Sequence, residues 1–321
     1  MEVKAGILGF AVGDALGVPV EFAPREELEF FPVTDMQEFG AHKQPKGTWS
    51  DDTSMTLATM DGIIQSNGIN YTQIANNFCW WACGKKYNAH DYVFDMGITT
   101  HKALQDYLIL GLDPTKAGGK GYYDNGNGSL MRILPLAYYF KENQTSDLEM
   151  ATIINNISSI THGHEISCMG CYLYTKYAMS LLEGKSFQES YNDLQKVDVS
   201  MYSDTTQLSY ERILSGDLGK IKDSSLISSA GFVVSSLEAS IWSCLNTNDY
   251  KEAVLKAVNL GEDTDTVCAL AGGLAGIKYG YNDIPEKWLN TLVKKDYIED
   301  LSNKFEYKIK NLNKIEKEKQ L

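Results

Sequence analysis

The sequence predicts an all-α protein, and three observations carry that expectation. Period-2 runs of β-branched residues are few. Apolar residues recur at helical spacing instead, as in Leu57, Met60, Ile63 and Ile64, in Leu173, Tyr177 and Leu181, and in Leu237, Ile241 and Leu245. The chain has only seven prolines, and Pro19, Pro114 and Pro285 fall where helices are expected to start or stop. With 321 residues, 43% of them apolar, the chain can bury one large core. The reading is one domain of about a dozen helices over residues 1–301, followed by a Lys-rich helix or tail over 302–321.

Two of these helices share an unusual stripe. Gly9, Gly13 and Gly17 recur at i, i+4 and i+8, and Gly272, Gly276 and Gly280 repeat the spacing. Glycine disfavours a helix by up to about 1 kcal/mol per residue, so the stripes are expected where another backbone comes close. Neither segment is read as long or apolar enough for a membrane span, and the amino-terminal one is not read as a secretory signal, because Glu2 and Asp14 interrupt it. Between the helices, residues 111–128 (GLDPTKAGGKGYYDNGNG) form a glycine-rich loop long enough to suggest function.

Composition narrows the partners. The chain has 29 basic and 42 acidic residues, a net charge of −13. The stretch 302–321 carries six Lys and three Glu, so the remaining body holds about −16. Such a body disfavours non-specific binding to a phosphate backbone, which depends on Lys and Arg. Six scattered cysteines read as reduced thiols of a cytoplasmic protein.

The chemistry concentrates at two acidic helix starts. Ser50, Asp51 and Asp52 precede the apolar-periodic stretch TSMTLATMDGIIQ, and Asp263, Thr264, Asp265 and Thr266 precede VCALAGGLAG. Either cluster alone reads as capping, because hydroxyls and acids suit a helix amino terminus. Together they offer more oxygens than caps require. Ser50, Asp51, Asp52, Asp263, Asp265 and Thr266 supply six hard donors with four negative charges, a set suited to two divalent ions such as Mg²⁺, Mn²⁺ or Ca²⁺, provided the helix starts converge. His162, His164, Cys168 and Cys171 have zinc-like spacing, but Cys168 onward reads as a buried apolar helix, so zinc is not expected there.

Seven segments in order then carry a family resemblance: GDALGVPVEF (13–22), GTWSDDTSM (47–55), FDMGITTHKAL (94–104), GNGSLMRILPLA (126–137), THGHE (161–165), GFVVSSLEASIW (231–242) and NLGEDTDTVCALAGGLAGIKYG (259–280). Over roughly residues 5–290 the chain resembles the ADP-ribosylglycohydrolase family, especially its bacterial dinitrogenase-reductase-activating branch. The resemblance implies an orthogonal all-α bundle with a binuclear metal centre held by the six residues named above. Ser50 stands where many members have Thr, and Glu262 where Gly is common. It further implies that Asp95 works as an acid–base group and that Glu21 lies close to the metals, and the two carboxylates are read as dividing proton delivery and removal as catalytic residues. Gly126, Asn127, Gly128, Ser129, His162 and Phe232 would line the ADP-ribose site, with Arg132 completing the GNGS motif.

The function implied is metal-dependent hydrolysis that releases ADP-ribose from a modified protein side chain, arginine foremost. Alternatives are another ADP-ribosyl linkage (serine, O-acetyl-ADP-ribose, a small guanidine or nucleic acid) and a non-catalytic ADP-ribose-binding or crystallin-like protein. Specificity is expected in the loops 84–94 and 111–125.

Overall fold

The glycine stripes find each other. In the computed structural model, which describes residues 2–143 and 145–319, helix α1 (Val3–Gly17) lies along α14 (Thr264–Tyr279). A Cβ at Gly9 would stand 2.5 Å from the Gly272 carbonyl oxygen, and one at Gly13 only 2.2 Å from that of Cys268. Gly280 departs from the expectation: it follows the last turn of α14 with φ 86° in open space, so it ends the helix and takes no part in the packing. The α1 segment is apolar and long enough to qualify as a span by composition, yet it is 83% buried inside the bundle.

Fourteen further α-helices surround this pair among the described residues: α2 (Arg25–Phe30), α3 (Asp51–Ser66), α4 (Tyr71–Ala82), α5 (Ile98–Leu110), α6 (Leu134–Glu142), α7 (Asp147–Ser158), α8 (Glu165–Leu182), α9 (Phe187–Leu194), α10 (Asp204–Ser209), α11 (Glu211–Leu214), α12 (Val233–Leu245), α13 (Tyr250–Val258), α15 (Glu286–Thr291) and α16 (Lys295–Lys319). The described residues contain isolated β-bridges but no strand. The fold is the expected all-α domain.

Helices α12 and α13 pack on α14, whereas α3 and α16 pack near α1. The expected boundary at residue 301 falls inside α16, where Ser302, Phe305 and Ile309 are buried and the Val3 amide donates to Glu306 at 3.0 Å. All six cysteines are free thiols, five of them buried. The consequence for the site is geometric. The close approach of α1 and α14 places Asp14, the Glu21 segment after α1 and the acidic start of α14 in one neighbourhood, and α3 brings Asp51 and Asp52 to it.

Candidate active site

The start of α3 answers whether its acids are caps. Ser50 is the N-cap, its hydroxyl accepting from the Asp52 amide at 3.2 Å. Asp14 reaches across from α1 and accepts from the Ser50 amide (2.9 and 3.1 Å), the Thr53 amide (3.0 Å) and the Thr53 hydroxyl (2.6 Å). The amides of Ser50, Asp52 and Thr53 are thereby satisfied by Asp14 and the Ser50 hydroxyl, and none of these three takes up the Asp51 or Asp52 carboxylate. Asp14 is fully buried, and burial lifts its pKa to about 6 against the pull of these hydrogen bonds. Sequence reasoning overlooked it. The available signal was a charge inside an otherwise apolar, glycine-striped helix, because a buried carboxylate requires partners.

In the second acidic segment only Asp263 is free of the helix amides. Asp263 occupies the N-cap position of α14 but makes no side-chain cap; its Oδ2 accepts from Asn127 Nδ2 at 2.7 Å. Asp265 accepts from the Thr266 amide at 2.9 Å. The Thr266 hydroxyl donates to Asp52 Oδ2 at 3.3 Å, so the two acidic halves meet across 214 positions of sequence. Ser50 also donates to that oxygen, at 3.2 Å.

The donor set fits hard divalent cations. Asp52 Oδ1 is buried and has no hydrogen-bond partner. Burial first, then neighbouring carboxylates, drives Asp51, Asp52 and Asp265 well above the ordinary carboxylate range, and burial raises Asp263 as well. Oxygens this crowded and poorly satisfied are what a cation would relieve. One oxygen each from Glu21, Asp263 and Asp265 lies within 4.8 Å of the others.

Glu21 joins this centre to a second group. One ligating atom each from Glu21, His42 and Asp95 also lies within 4.8 Å of the others, and His42 Nε2 is in short contact with Glu21 Oε2. Burial raises the Glu21 pKa to about 7, opposed by the His42 hydrogen bond; that bond is the main cause raising the pKa of His42. His42 was not legible in the sequence, because it lies in a segment (34–46) without periodicity or motif. Asp95 lines the cleft two residues before Gly97, the actual N-cap of α5. The Glu21 turn is pinned by two backbone bonds, Phe22 N–H to the Glu262 carbonyl (2.7 Å) and Glu262 N–H to that of Ala23 (2.8 Å). Glu262 has φ 60°, a left-handed backbone conformation that favours glycine.

The cleft, about 370 Å³, is lined on its acidic side by Glu21, Asp51, Asp52, Asp95, Asp263, Asp265 and Thr266. Gly126, Asn127, Gly128 and His162 form the opposite wall. Glycine at 128 is a matter of space: a Cβ there would be 2.7 Å from His162 Cε1. Among the described residues the amides of Gly126 and Gly128 donate to no backbone carbonyl, whereas that of Asn127 is engaged by Gly231. The Asn127 side chain holds Asp263 and Ser236 instead of facing a ligand. Ser129 is buried behind the wall, its hydroxyl accepting from Ser158 (2.8 Å) and Cys171 (3.4 Å). Phe232 lines an adjoining aromatic slot with Tyr122, Tyr123 and Gly126. His162 and Arg132 are buried behind Gly128, and the His162 pKa is pushed down to about 3 by burial and by Arg132. His164, part of the zinc-like spacing, accepts from the Ile166 amide as a cap of α8.

A family profile described as ADP-ribosylglycohydrolase matches residues 2–314. The chain belongs to the ADP-ribosylglycohydrolase family. This glycohydrolase is 31% identical to ADP-ribosylarginine hydrolase Tri1 of Pseudomonas putida (strain GB-1) over 304 residues, 94% of this chain and 76% of that protein. It is 28% identical to ADP-ribosyl-[dinitrogen reductase] glycohydrolase of Rhodospirillum rubrum, over 89% of this chain and 88% of that one. A solved structure described as an ADP-ribosylglycohydrolase-related protein complex superposes with a TM-score of 0.78 at 28% identity, covering 96% of this chain and 97% of its own. The chain is therefore an enzyme of the class that hydrolyses ADP-ribosyl linkages.

Proposed function

We propose that this glycohydrolase removes ADP-ribose from modified arginine side chains in a reaction that depends on two divalent ions, Mg²⁺ or Mn²⁺. The observation that carries the proposal is the meeting of the two acidic halves, Thr266 on Asp52, beside the Glu21–Asp95 pair. Six carboxylates line the cleft, and two dications would leave two negative charges. A cationic guanidinium suits that residue of charge. The relative named ADP-ribosylarginine hydrolase agrees with this choice of linkage.

Ser50, Asp51, Asp52, Asp263, Asp265 and Thr266 would hold the ions, with Glu21 at their edge. When bound, such ions supply charge that orients ribose hydroxyls and makes water more acidic. The protein's own groups do the rest. Guanidine leaves readily only when it carries a proton, so a carboxyl must deliver one while another accepts one from the attacking water. Asp95 and Glu21 stand close enough to divide those tasks. The amides of Gly126 and Gly128, residues that line the cleft, would be donors to a diphosphate, and the slot of Tyr122, Tyr123 and Phe232 offers flat faces for a purine. Binding there supplies energy remote from the bond that breaks.

A panel of defined substrates tests the linkage. ADP-ribosyl-arginine should be hydrolysed with kcat/KM at least about tenfold above ADP-ribosyl-serine and O-acetyl-ADP-ribose. Equal or better hydrolysis of either would overturn the arginine assignment while leaving the metal centre in place.

A further inference from the structure

We propose that Arg132 and Thr161 are positioning residues that fix His162 as the tautomer with its proton on Nε2, so that the ring presents a neutral hydrogen-bond donor to the cleft. The inference rests on the reading above only in naming the acceptor as an oxygen of a bound ADP-ribosyl group. The tautomer itself follows from the hydrogen bonds of Arg132, Thr161 and His162.

Arg132 is an unusual group to bury. It is 0% exposed, its Nε has no partner, and no carboxylate pairs with it. Its guanidinium lies 4.5 Å from the centroid of the Phe78 ring. Its remaining donors go to carbonyls and one hydroxyl: Nη1 to the Gly128 carbonyl (2.8 Å) and Thr161 Oγ1 (2.7 Å), and Nη2 to the carbonyls of Ile157 (3.1 Å) and Ser158 (3.4 Å). Ile157 and Ser158 end α7, where the negative end of the helix dipole favours a cation. One side chain thus clamps the Gly128 wall, the end of α7 and the turn carrying His162.

The polarity of the chain is then determined. Arg132 can only donate, so Thr161 Oγ1 accepts from it. The Thr161 hydroxyl has one proton, and the only acceptor among its hydrogen-bond partners is His162 Nδ1, 2.8 Å away. Nδ1 therefore accepts, and in a neutral ring Nε2 carries the proton. The opposite tautomer would point two donors at one hydroxyl oxygen and leave the hydroxyl proton buried without a partner, a costly arrangement. Nε2 has no hydrogen-bond partner among the described residues. It stands beside Gly126 and Gly128, 3.2 Å from where a Cβ of Gly128 would be. The glycines leave room there for an acceptor oxygen.

The test uses the full chain labelled with ¹⁵N, with His162 assigned by comparison with His162→Gln. Long-range proton–nitrogen correlation between pH 6 and 8 should show a neutral ring protonated on Nε2. Thr161→Val, which keeps the shape and removes the hydroxyl, should give mixed tautomers and weaken ADP-ribose binding about five- to tenfold by calorimetry. Thr161→Ser should restore both. Arg132→Lys keeps the charge and loses the fork, and should also give mixed tautomers. An Nδ1-protonated or cationic ring in the wild type would overturn the proposal. So would an unchanged tautomer in Thr161→Val, or a Thr161→Ser variant as defective as Thr161→Val. Should Thr161→Val or Arg132→Lys fail to fold, the wild-type tautomer and the Thr161→Ser variant still decide. If the wild type shows the Nε2 tautomer but binds no ADP-ribose, the functional reading fails and the relay stands.

Discussion

Glu262 shows how a single backbone angle connects sequence to site. Its φ of 60° is a conformation that costs a non-glycine residue about 1–2 kcal/mol. It is kept because the peptide there exchanges two hydrogen bonds with the Glu21 turn. Glu262→Gly retains those bonds and relieves the strain, at some cost in unfolded-state entropy. Urea denaturation should show a gain of roughly 0.5–1 kcal/mol; a loss would mean that the Glu262 contact with Ser229 outweighs the strain. Asp95 makes a sharper kinetic prediction. Asp95→Asn should lower kcat at least about a hundredfold while ADP-ribose affinity stays within about threefold. Unchanged turnover would remove Asp95 from the chemistry. The main acids were legible in the sequence because they cluster at helix starts in numbers that capping does not need. Asp14 and His42 were not, because each acts through one long-range contact that local spacing does not encode.

At the scale of elements, the α1–α14 contact determines the site. The stripes signalled a close approach of backbones, and Gly9, Gly13, Gly17, Gly272 and Gly276 all lie in such contacts. What the spacing did not reveal was that the stripes face each other, or that Gly280 is a helix stop, since a terminal glycine continues the same arithmetic. Gly13→Ala would place a Cβ 2.2 Å from a backbone oxygen that cannot rotate away, so the helices must separate. We expect a loss of about 1–3 kcal/mol by denaturation. Because Asp14 follows directly on Gly13 within α1, weakened divalent-ion binding should accompany the loss. A neutral Gly13→Ala variant would contradict the account of the packing. The loops were the least legible elements. The 111–125 loop braces the His162 turn through Gly118 and Gly119, whose amides donate to the carbonyls of Ser159 and Thr161, and nothing in its sequence names that partner.

The whole molecule stores like charge in its centre, and its stability should report this. Asp14 and Glu21 have folded-state pKa values of about 6 and about 7, above their ordinary 3.8 and 4.5, and Asp51, Asp52, Asp263 and Asp265 are raised too. The folded chain therefore holds protons that the unfolded chain has released, a contribution that is full below about pH 4 and lost as pH rises through 6 to 7. His162 acts in the opposite sense, since its pKa of about 3 lies below the ordinary 6.5 and stability is lost as pH falls through that interval. Six raised carboxylates outweigh one imidazole. In divalent-free buffer the melting temperature should rise as pH falls from 8 to about 6. Saturating Mg²⁺ or Mn²⁺ should raise it most at pH 8 and flatten the slope. A melting temperature indifferent to divalent ions at pH 8 would contradict the metal centre.

The central claim is tested most directly by release of ADP-ribose from a protein carrying ADP-ribosyl-arginine. Turnover is predicted with Mg²⁺ or Mn²⁺, with loss after EDTA, recovery when the ion is restored, and none in Asp51→Asn or Asp265→Asn. Full activity after EDTA, or undiminished activity in either variant, would contradict it.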